Sequence, residues 1–237
     1  MIRCTILVML LIVSPALAEP IPKESEASKL KRVWGELVDS GGGAKVKLEG
    51  DKLRMTLPAG DRVVYNQRNN SHHAPYMMKT IRGDFVATVT VHRHSPPAEP
   101  GVGDRQNPLV ASGLIAVFDA NTVTSYCRAL SAGNSTYQFR STFRYTNGSS
   151  MTSGGGGSPK NRNAESARLR LSRKGESVKY EYSYDDGKTW QAFTAQTHVT
   201  NDEAKVGVYA EHTVDAVTDA YFEGFELKPL KDEPKTP

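Results

Sequence analysis

The sequence has only two cysteines, and the first lies in a segment that export would remove. Cys4 precedes an unbroken apolar run from Ile6 to Val13, and Ala16-Leu17-Ala18 follows with the small residues that a signal peptidase reads. Residues 1–18 are therefore predicted to be a secretory signal peptide, which is too short to anchor the mature chain in a membrane. Cys127 would then be the only cysteine, so an internal disulfide is excluded and an ordinary core must hold the fold.

A second long apolar run and a strong charge of one sign are also missing. No other stretch approaches the length that crosses a membrane, and the net charge of +4 is a mild excess on an exported chain. This balance gives no indication of a nucleic-acid partner, while it allows a weak attraction for acidic glycans. The sequence predicts a secreted or periplasmic protein that has no membrane segment after the signal is cleaved.

A helical period of useful length is absent, whereas a period of two runs through nearly the whole chain. Apolar and polar residues alternate over residues 85–92, 167–172 and 178–183, and about a dozen such segments are separated by Gly, Asn, Asp and Pro turns. This pattern predicts an all-β sandwich of two antiparallel sheets. Val110 to Phe118 is apolar at nearly every position, as expected of a central strand that is covered on both faces.

The composition divides the chain into a signal, a linker, one domain and a tail. Residues 19–32 are rich in Pro, Lys and Glu and are predicted to be a linker, and residues 228–237 form a similar polar tail. The domain is expected to span residues 33–227. Residues 23–37 have some helical composition, but they include Gly35 and lack a clear apolar stripe. Residues 95–108 and the glycine-rich residues 146–166 are predicted to be long loops.

One short motif, Ser183 to Trp190 (SYDDGKTW), fits the pattern S-x-D-x-G-x-T-W, the Asp-box signature of sialidases and many secreted glycan-active proteins. Asp185-Asp186-Gly187 is turn chemistry, because Asp side chains bond nearby amides and Gly adopts positive φ. The motif supplies no nucleophile and no acid, and it occurs once in a chain too short for a propeller. We interpret it as a structural hairpin tip.

Several short motifs in a fixed order resemble the concanavalin A-like jelly-roll domains grouped as a domain of unknown function, which are related to the C-terminal sandwich of some β-xylosidases. The matching pieces are Trp34, Lys52-Leu53-Arg54-Met55, Ala74-Pro75-Tyr76-Met77, Gly83-Asp84-Phe85, Ala111-Ser112-Gly113-Leu114, Leu169-Arg170-Leu171-Ser172-Arg173, Tyr182 to Gly187 with Trp190, Val206-Gly207-Val208-Tyr209-Ala210 and Phe222-Glu223-Gly224-Phe225-Glu226-Leu227. The resemblance implies two curved antiparallel sheets. It implies no settled activity, because this fold hosts lectins, glycanases, lyases and silent modules.

The residues that glycan hydrolysis or metal binding would need are sparse. Retaining glycanases on such sandwiches place two carboxylates two residues apart on one strand, and no E-x-D-x-x-E segment occurs. In a regular strand, Glu223 and Glu226 would lie on opposite faces. His92 and His94 are expected to share one strand face and could ligate an ion together with His72, but no Cys and no carboxylate stands at a fixed spacing from them, so no metal site is predicted. Loop acids such as Asp119 and Asp215 are candidate calcium ligands, although no D-x-D-x-D loop supports them.

The polar faces of three strands offer the best candidate binding surface. If these strands are neighbours, their side chains form a basic face suited to an acidic polysaccharide. The predicted binding residues are His92, Gln138, Arg140, Arg144, Arg168 and Arg170, together with Tyr126. The simpler interpretation is that these side chains keep an outer sheet face soluble.

The leading hypothesis is an exported, non-catalytic module that binds carbohydrate or another surface. Two alternatives stay open. The first is a glycoside hydrolase or polysaccharide lyase with an unfamiliar site, using His92, His94 or Tyr126 as acid–base groups. The second is an exported domain that binds a protein partner through an exposed sheet face.

Overall fold

The computed structural model describes residues 24–64, 73–94, 108–120, 122–131, 137–144, 150–155, 164–196 and 199–230. The predicted signal peptide, residues 19–23 of the predicted linker and residues 95–107 of the first predicted loop lie outside the described residues.

The described residues form two antiparallel sheets, as the alternating pattern predicts. The strands are β1 Glu36–Val38, β2 Lys45–Glu49, β3 Lys52–Leu57, β4 Gly60–Arg62, β5 Tyr76–Arg82, β6 Phe85–His92, β7 Leu109–Val117, β8 Val123–Ser131, β9 Gln138–Arg144, β10 Ser150–Gly155, β11 Ser166–Lys174, β12 Ser177–Ser183, β13 Gln191–Gln196, β14 Glu203–Val214 and β15 Thr218–Pro229. The first sheet has the order β1-β5-β14-β7-β8-β9-β10, with β4 paired to β14. The second sheet has the order β13-β12-β11-β6-β15-β3-β2.

The main core lies between the two sheets and explains the period of two. Along β6 the burial alternates strictly, so Phe85, Val89 and Val91 face the core while the intervening Thr and His residues face outward. Strand β7 lies inside the first sheet and is buried on both faces, as its apolar sequence predicts. Its second face belongs to a smaller apolar cluster that includes Ile115 and Cys127.

An aromatic cluster fills one part of the main core. The Tyr126 ring centroid lies 5.4 Å from that of Tyr180, 5.4 Å from that of Phe193 and 6.0 Å from that of Phe139. Phe139 in turn stacks on Tyr182 with a centroid separation of 4.2 Å. Because β8 and β9 belong to the first sheet and β12 and β13 to the second, these rings join the sheets directly.

The segment before the first strand is a helix, which corrects the prediction of a linker for residues 26–32. Helix α1 spans Glu26–Trp34; Ser25 caps its N-terminus, and Gly35 ends it with a φ of 92°. Trp34 is only 1% exposed and stacks on Phe225 at 5.9 Å. Gly35, which counts against a helix over the whole of residues 23–37, lies just past the last helical residue. No helix in the described ranges is long and apolar enough to cross a membrane.

Two other boundaries differ from the sequence prediction. Strand β10 occupies Ser150–Gly155, inside residues 146–166 that were predicted to form one loop. It pairs with β9 from Ser150 opposite Arg144 to Gly155 opposite Phe139. Strand β15 continues to Pro229, two residues beyond the predicted end of the domain at residue 227. In both places backbone pairing with a neighbouring strand outweighs a glycine-rich or polar composition.

A buried histidine links the two sheets near the end of β6. His94 is 6% exposed; its Nε2 lies 2.8 Å from Ser112 Oγ, and its Nδ1 lies 3.4 Å from the Asp219 carbonyl oxygen. The Tyr137 hydroxyl donates to the His94 carbonyl at 2.7 Å. Burial lowers the pKa of His94 to about 4, and the nearby Arg128 guanidinium acts in the same direction. The imidazole is therefore neutral at pH 7.

We expect the stability of the domain to fall between pH 6.5 and pH 4 because His94 must then take up a proton on unfolding. Its pKa in the folded chain is below the ordinary value of 6.5, so its contribution is complete above pH 6.5 and is lost as the pH falls toward 4. The full loss in the free energy of unfolding from this residue is on the order of 3 kcal/mol. Urea unfolding at several pH values should show a shallower pH dependence for His94→Gln, and equal slopes would contradict the assignment.

Tyr126 gives a second stability test. Its side chain is 0% exposed, and its hydroxyl has no hydrogen-bond partner among the described residues. Tyr126→Phe should therefore change the free energy of unfolding by less than about 1 kcal/mol or raise it, whereas Tyr126→Ala should cost about 3–5 kcal/mol. Urea unfolding measures both, and a large loss in Tyr126→Phe would show that the hydroxyl is bonded.

Candidate functional site

The predicted basic face is divided between the two sheets. Strands β6 and β11 are neighbours in the second sheet, where Thr90 pairs with Arg168 and Thr88 pairs with Arg170. Strand β9 lies in the first sheet, so Gln138, Arg140 and Arg144 cannot join that surface. The prediction of one continuous face across three strands is therefore wrong, because pattern along a strand does not reveal which sheet the strand enters.

The arginines of the second sheet are also neutralised by their neighbours. Arg170 Nε lies 2.6 Å from Glu181 Oε2, and its guanidinium stacks 4.1 Å from the centre of the Trp190 ring. On β3, Arg54 lies 2.7 Å from an oxygen of Asp219. This outer face is consequently a set of mixed ion pairs, not a field of positive charge.

Gln138 and Arg140 of β9 lie on the outer face of the first sheet. Arg140 is opposite Cys127 and Gln138 is opposite Ala129, and both side chains are half-buried. The Arg144 backbone pairs with Val123 and Ser150; its side chain is outside the described structure. Burial raises the pKa of the Cys127 thiol to about 12, so it is not a nucleophile at neutral pH.

Tyr126 and the histidine pair require corrections as site residues. Tyr126 is fully buried in the aromatic cluster, so it cannot touch a ligand on the surface. His92 ends β6 on the outer face, whereas His94 turns into the space between the sheets, so the two rings do not share a face. Within the described ranges no three His, Cys, Asp or Glu residues come together as metal ligands. Asp119 accepts hydrogen bonds from the Thr122 amide and the Asn201 side chain, so its carboxylate stabilises the loop.

A groove of about 620 Å³ lies on the outer face of the second sheet. Its floor includes Thr90, His92, Ser166 and Arg168, which belong to the adjacent strands β6 and β11. One wall is formed by Glu223 and Gly224 of β15, and the opposite wall by Asp185, Asp186 and Lys188 from the turn after β12. Its volume falls in the range of about 300–1,000 Å³ that is usual for ligand sites.

The Asp-box turn builds the second of these walls. The Ser183 hydroxyl accepts from the Gly187 amide at 2.8 Å and donates to Asp185 Oδ1 at 2.7 Å. The Asp185 carboxylate accepts from the Thr189 amide at 2.8 Å and from its hydroxyl at 2.6 Å. The interpretation of the motif as a hairpin tip is confirmed, since β12 and β13 pair on either side of it and the turn occupies the Asp185 carboxylate. A Cβ at Gly187 would lie 3.2 Å from the Trp190 ring and 3.4 Å from the Arg168 side chain, so this position of the turn favours glycine.

A β-bulge builds the first wall and changes which way a carboxylate points. Glu223 is opposite Thr90 and Glu226 is opposite Thr88, so three residue steps on β15 match two on β6. Gly224 is the extra residue and has a φ of 62°. Phe222 and Phe225 both face the core, and Glu223 and Glu226 both face outward. The expectation that the two glutamates lie on opposite faces is therefore wrong.

The comparisons with known proteins identify the fold. No family model and no curated protein match the chain. A functionally unknown protein from Saccharomyces cerevisiae is similar with a TM-score of 0.65 and 16% identity, over 83% of this chain and 96% of that one. The GH43 BlXynB protein from Bacillus licheniformis is similar with a TM-score of 0.55 and 14% identity, over 82% of this chain and 39% of that one.

The fold is a concanavalin A-like jelly roll. The resemblance seen in the ordered sequence motifs is thereby confirmed. This chain spans less than half of the GH43 protein, and identities of this size establish a shared fold alone. The groove must be interpreted from its own residues.

The charged side chains in and beside the groove are paired with neighbouring side chains. His92 Nε2 lies 3.1 Å from Glu223 Oε2, and Lys52 Nζ lies 3.6 Å from the same oxygen. Burial lowers the pKa of His92, and Lys52 lowers it further while Glu223 opposes the shift. The hydrogen bond from Lys228 lowers the pKa of Glu226. A general acid needs the opposite shift, so Glu226 is poorly suited to protonate a leaving group.

The turn makes a direct prediction about the Asp185 carboxyl. Hydrogen bonds from Thr189, followed by that from Ser183, lower its pKa to about 2. Thr189→Val removes one donor with little change of shape, so the pKa should rise toward its ordinary value of about 3.9. A carbon-detected NMR titration of the carboxyl measures this. Thr80→Val, on an exposed strand position of the other sheet, is the control and should leave it unchanged.

Proposed function

We propose that this protein is an exported, non-catalytic module that binds a glycan in the groove on the outer face of the second sheet. The observation that carries the proposal is the groove itself, which has a polar floor and two polar walls fixed by a bulge and a hydrogen-bonded turn. Hydroxyl, carboxylate and cationic groups all line it, and such a lining suits the many donors and acceptors of a sugar. The apolar stretch at residues 1–18 supports export.

The charge of the ligand is a separate question from the presence of a site. The expectation of an acidic polysaccharide depended on a continuous basic face, and the arginines are instead divided between sheets and paired with acids. Arg168 is the one arginine of the predicted set that lines the groove. Its Nη1 lies 3.4 Å from Asp186 Oδ1, a long contact that leaves room for a ligand oxygen.

The hydrolase alternative gains one observation from the bulge. Glu223 and Glu226 share a face, and their partners Thr90 and Thr88 lie two residues apart, which corresponds to about 7 Å along a strand. Inverting glycosidases place their two carboxyl groups about 6.5–9.5 Å apart, and this backbone spacing is compatible with such a pair. Against hydrolysis, Glu226 is paired with Lys228 at 2.8 Å and its pKa is lowered. Release of reducing sugar from a glycan panel, abolished by Glu226→Gln, would favour catalysis.

Two arginines on one strand provide a matched test of the groove. Arg168 and Arg170 lie two residues apart on the same face of β11, but only Arg168 lines the groove. Arg168→Gln should weaken glycan binding about tenfold or more, because a charge-assisted hydrogen bond is lost. Arg170→Gln and Arg140→Gln should bind as the unmodified chain does. Calorimetric titration with a glycan selected from an array measures all three.

The outcomes separate the two faces of the sandwich. Loss of binding in Arg140→Gln, with Arg168→Gln unaffected, would move the site to the first sheet. Equal losses in Arg168→Gln and Arg170→Gln, with both variants folded by circular dichroism, would indicate a diffuse sheet surface instead of this groove. Absence of binding to every glycan would contradict the proposed function and favour a protein partner.

A further inference from the structure

The groove has its own charge balance, and the inference drawn from it depends on the glycan-binding function proposed above. Among its lining residues, Asp185, Asp186 and Glu223 supply three carboxylates, against the two fixed cations of Arg168 and Lys188. Over the lining residues that the structure describes, the groove therefore has a formal excess of one negative charge, which Lys52, 3.6 Å from Glu223 and just outside the groove, partly offsets. A polyanion entering it would meet carboxylates on both walls, and like charges brought together in this way oppose binding.

The histidine on the floor does not reverse this balance at neutral pH. The pKa of His92 is lowered by burial and by Lys52, so the ring is neutral. It still contacts Glu223, because its Nε2 lies 3.1 Å from the carboxylate. Lys52 also reaches Glu223 but does not line the groove. The ring thus helps to orient the Glu223 carboxylate without adding positive charge to the cavity.

The Glu223 carboxylate and the backbone that carries Asp186 are already positioned by the protein. The bulge at Gly224 and the contact with His92 fix Glu223. Asp186 follows the hydrogen-bonded Asp185 at a φ of 57° and lies beside Arg168. Acceptors that are fixed before binding lose little conformational freedom when a ligand arrives, which favours donors such as sugar hydroxyls.

We infer that the groove selects a neutral, hydroxyl-rich glycan. Glu223 and Asp186 accept hydrogen bonds from sugar hydroxyls on the two walls, and Arg168 and Lys188 donate to sugar oxygens. Each of these bonds is charge-assisted, so it is stronger than a bond between neutral groups. Because a neutral glycan carries no net charge, its binding should depend little on ionic strength.

Whether a carboxylate substitution weakens or strengthens binding distinguishes a neutral ligand from an acidic one. Glu223→Gln and Asp186→Asn keep the shape of each side chain and remove its charge. With a neutral ligand both variants should bind roughly three- to thirtyfold more weakly, because a charge-assisted acceptor is replaced by a neutral amide. With an acidic ligand the same substitutions relieve repulsion and should strengthen binding.

The experiment titrates the purified chain with xylohexaose, cellohexaose and mannohexaose as neutral probes, and with hexagalacturonic and hexaguluronic acids as acidic probes. Each titration is repeated from about 50 to 500 mM NaCl, where screening would weaken a charged complex. Glu181→Gln is the matched control, since Glu181 lies on the same outer face, pairs with Arg170 and does not line the groove. Thermal unfolding confirms that each variant is folded.

The possible results are distinct. Binding of a neutral hexamer that is insensitive to salt, is weakened by Glu223→Gln or Asp186→Asn and is unchanged by Glu181→Gln supports the inference. Preference for an acidic hexamer, a steep salt dependence, or tighter binding in the two groove variants overturns it while leaving the proposed function standing. Absence of detectable binding to every neutral and acidic hexamer overturns both this inference and the proposed glycan-binding function.

Discussion

Burial of one face of each sheet against the other is the interaction on which the rest of this structure depends. Val89, Leu169 and Phe222 from the second sheet and Leu114 and Val208 from the first are fully buried. Each such side chain contributes about 1.5–3 kcal/mol relative to exposure. Because every second residue serves this core, the intervening residues of β6, β11 and β15 are left on the outer face, where they can bind a ligand without weakening the fold.

Two local irregularities convert a pleated sheet face into a groove. The bulge inserts Gly224 into β15, and the turn after β12 places Asp186 and Gly187 at φ angles of 57° and 86°. Each raises polar side chains above the plane of β6 and β11 on one side of the floor. Conformations of this kind are costly for most residues, and here a glycine or the hydrogen-bonded Asp185 makes them accessible.

The proposal that the groove holds a ligand and does not cleave it depends on the state of the carboxyl groups in and beside it. Its carboxylates already have partners, since Glu223 contacts His92 and Asp185 serves the turn. The pKa of the nearby Glu226 is lowered, the reverse of the shift that makes a carboxyl a general acid. The jelly-roll fold agrees with a sugar ligand but does not require one, because folds of this type host many functions.

The period of two, the turn chemistry of SYDDGKTW and the apolar segment β7 predicted two antiparallel sheets, a hairpin tip and a doubly covered strand, because these features depend on local geometry and burial alone. The sequence pattern could not assign β9 to the first sheet or β11 to the second, so the prediction wrongly placed Arg140 and Arg168 on one face. It also could not locate the bulge, and one inserted residue moves every later side chain of the strand to the opposite face of the sheet. Local sequence therefore determined the strands and the turn. Strand order and register, which depend on contacts between residues far apart in the chain, alone decided that His92, Arg168 and Glu223 share a groove while Tyr126 lies in the core.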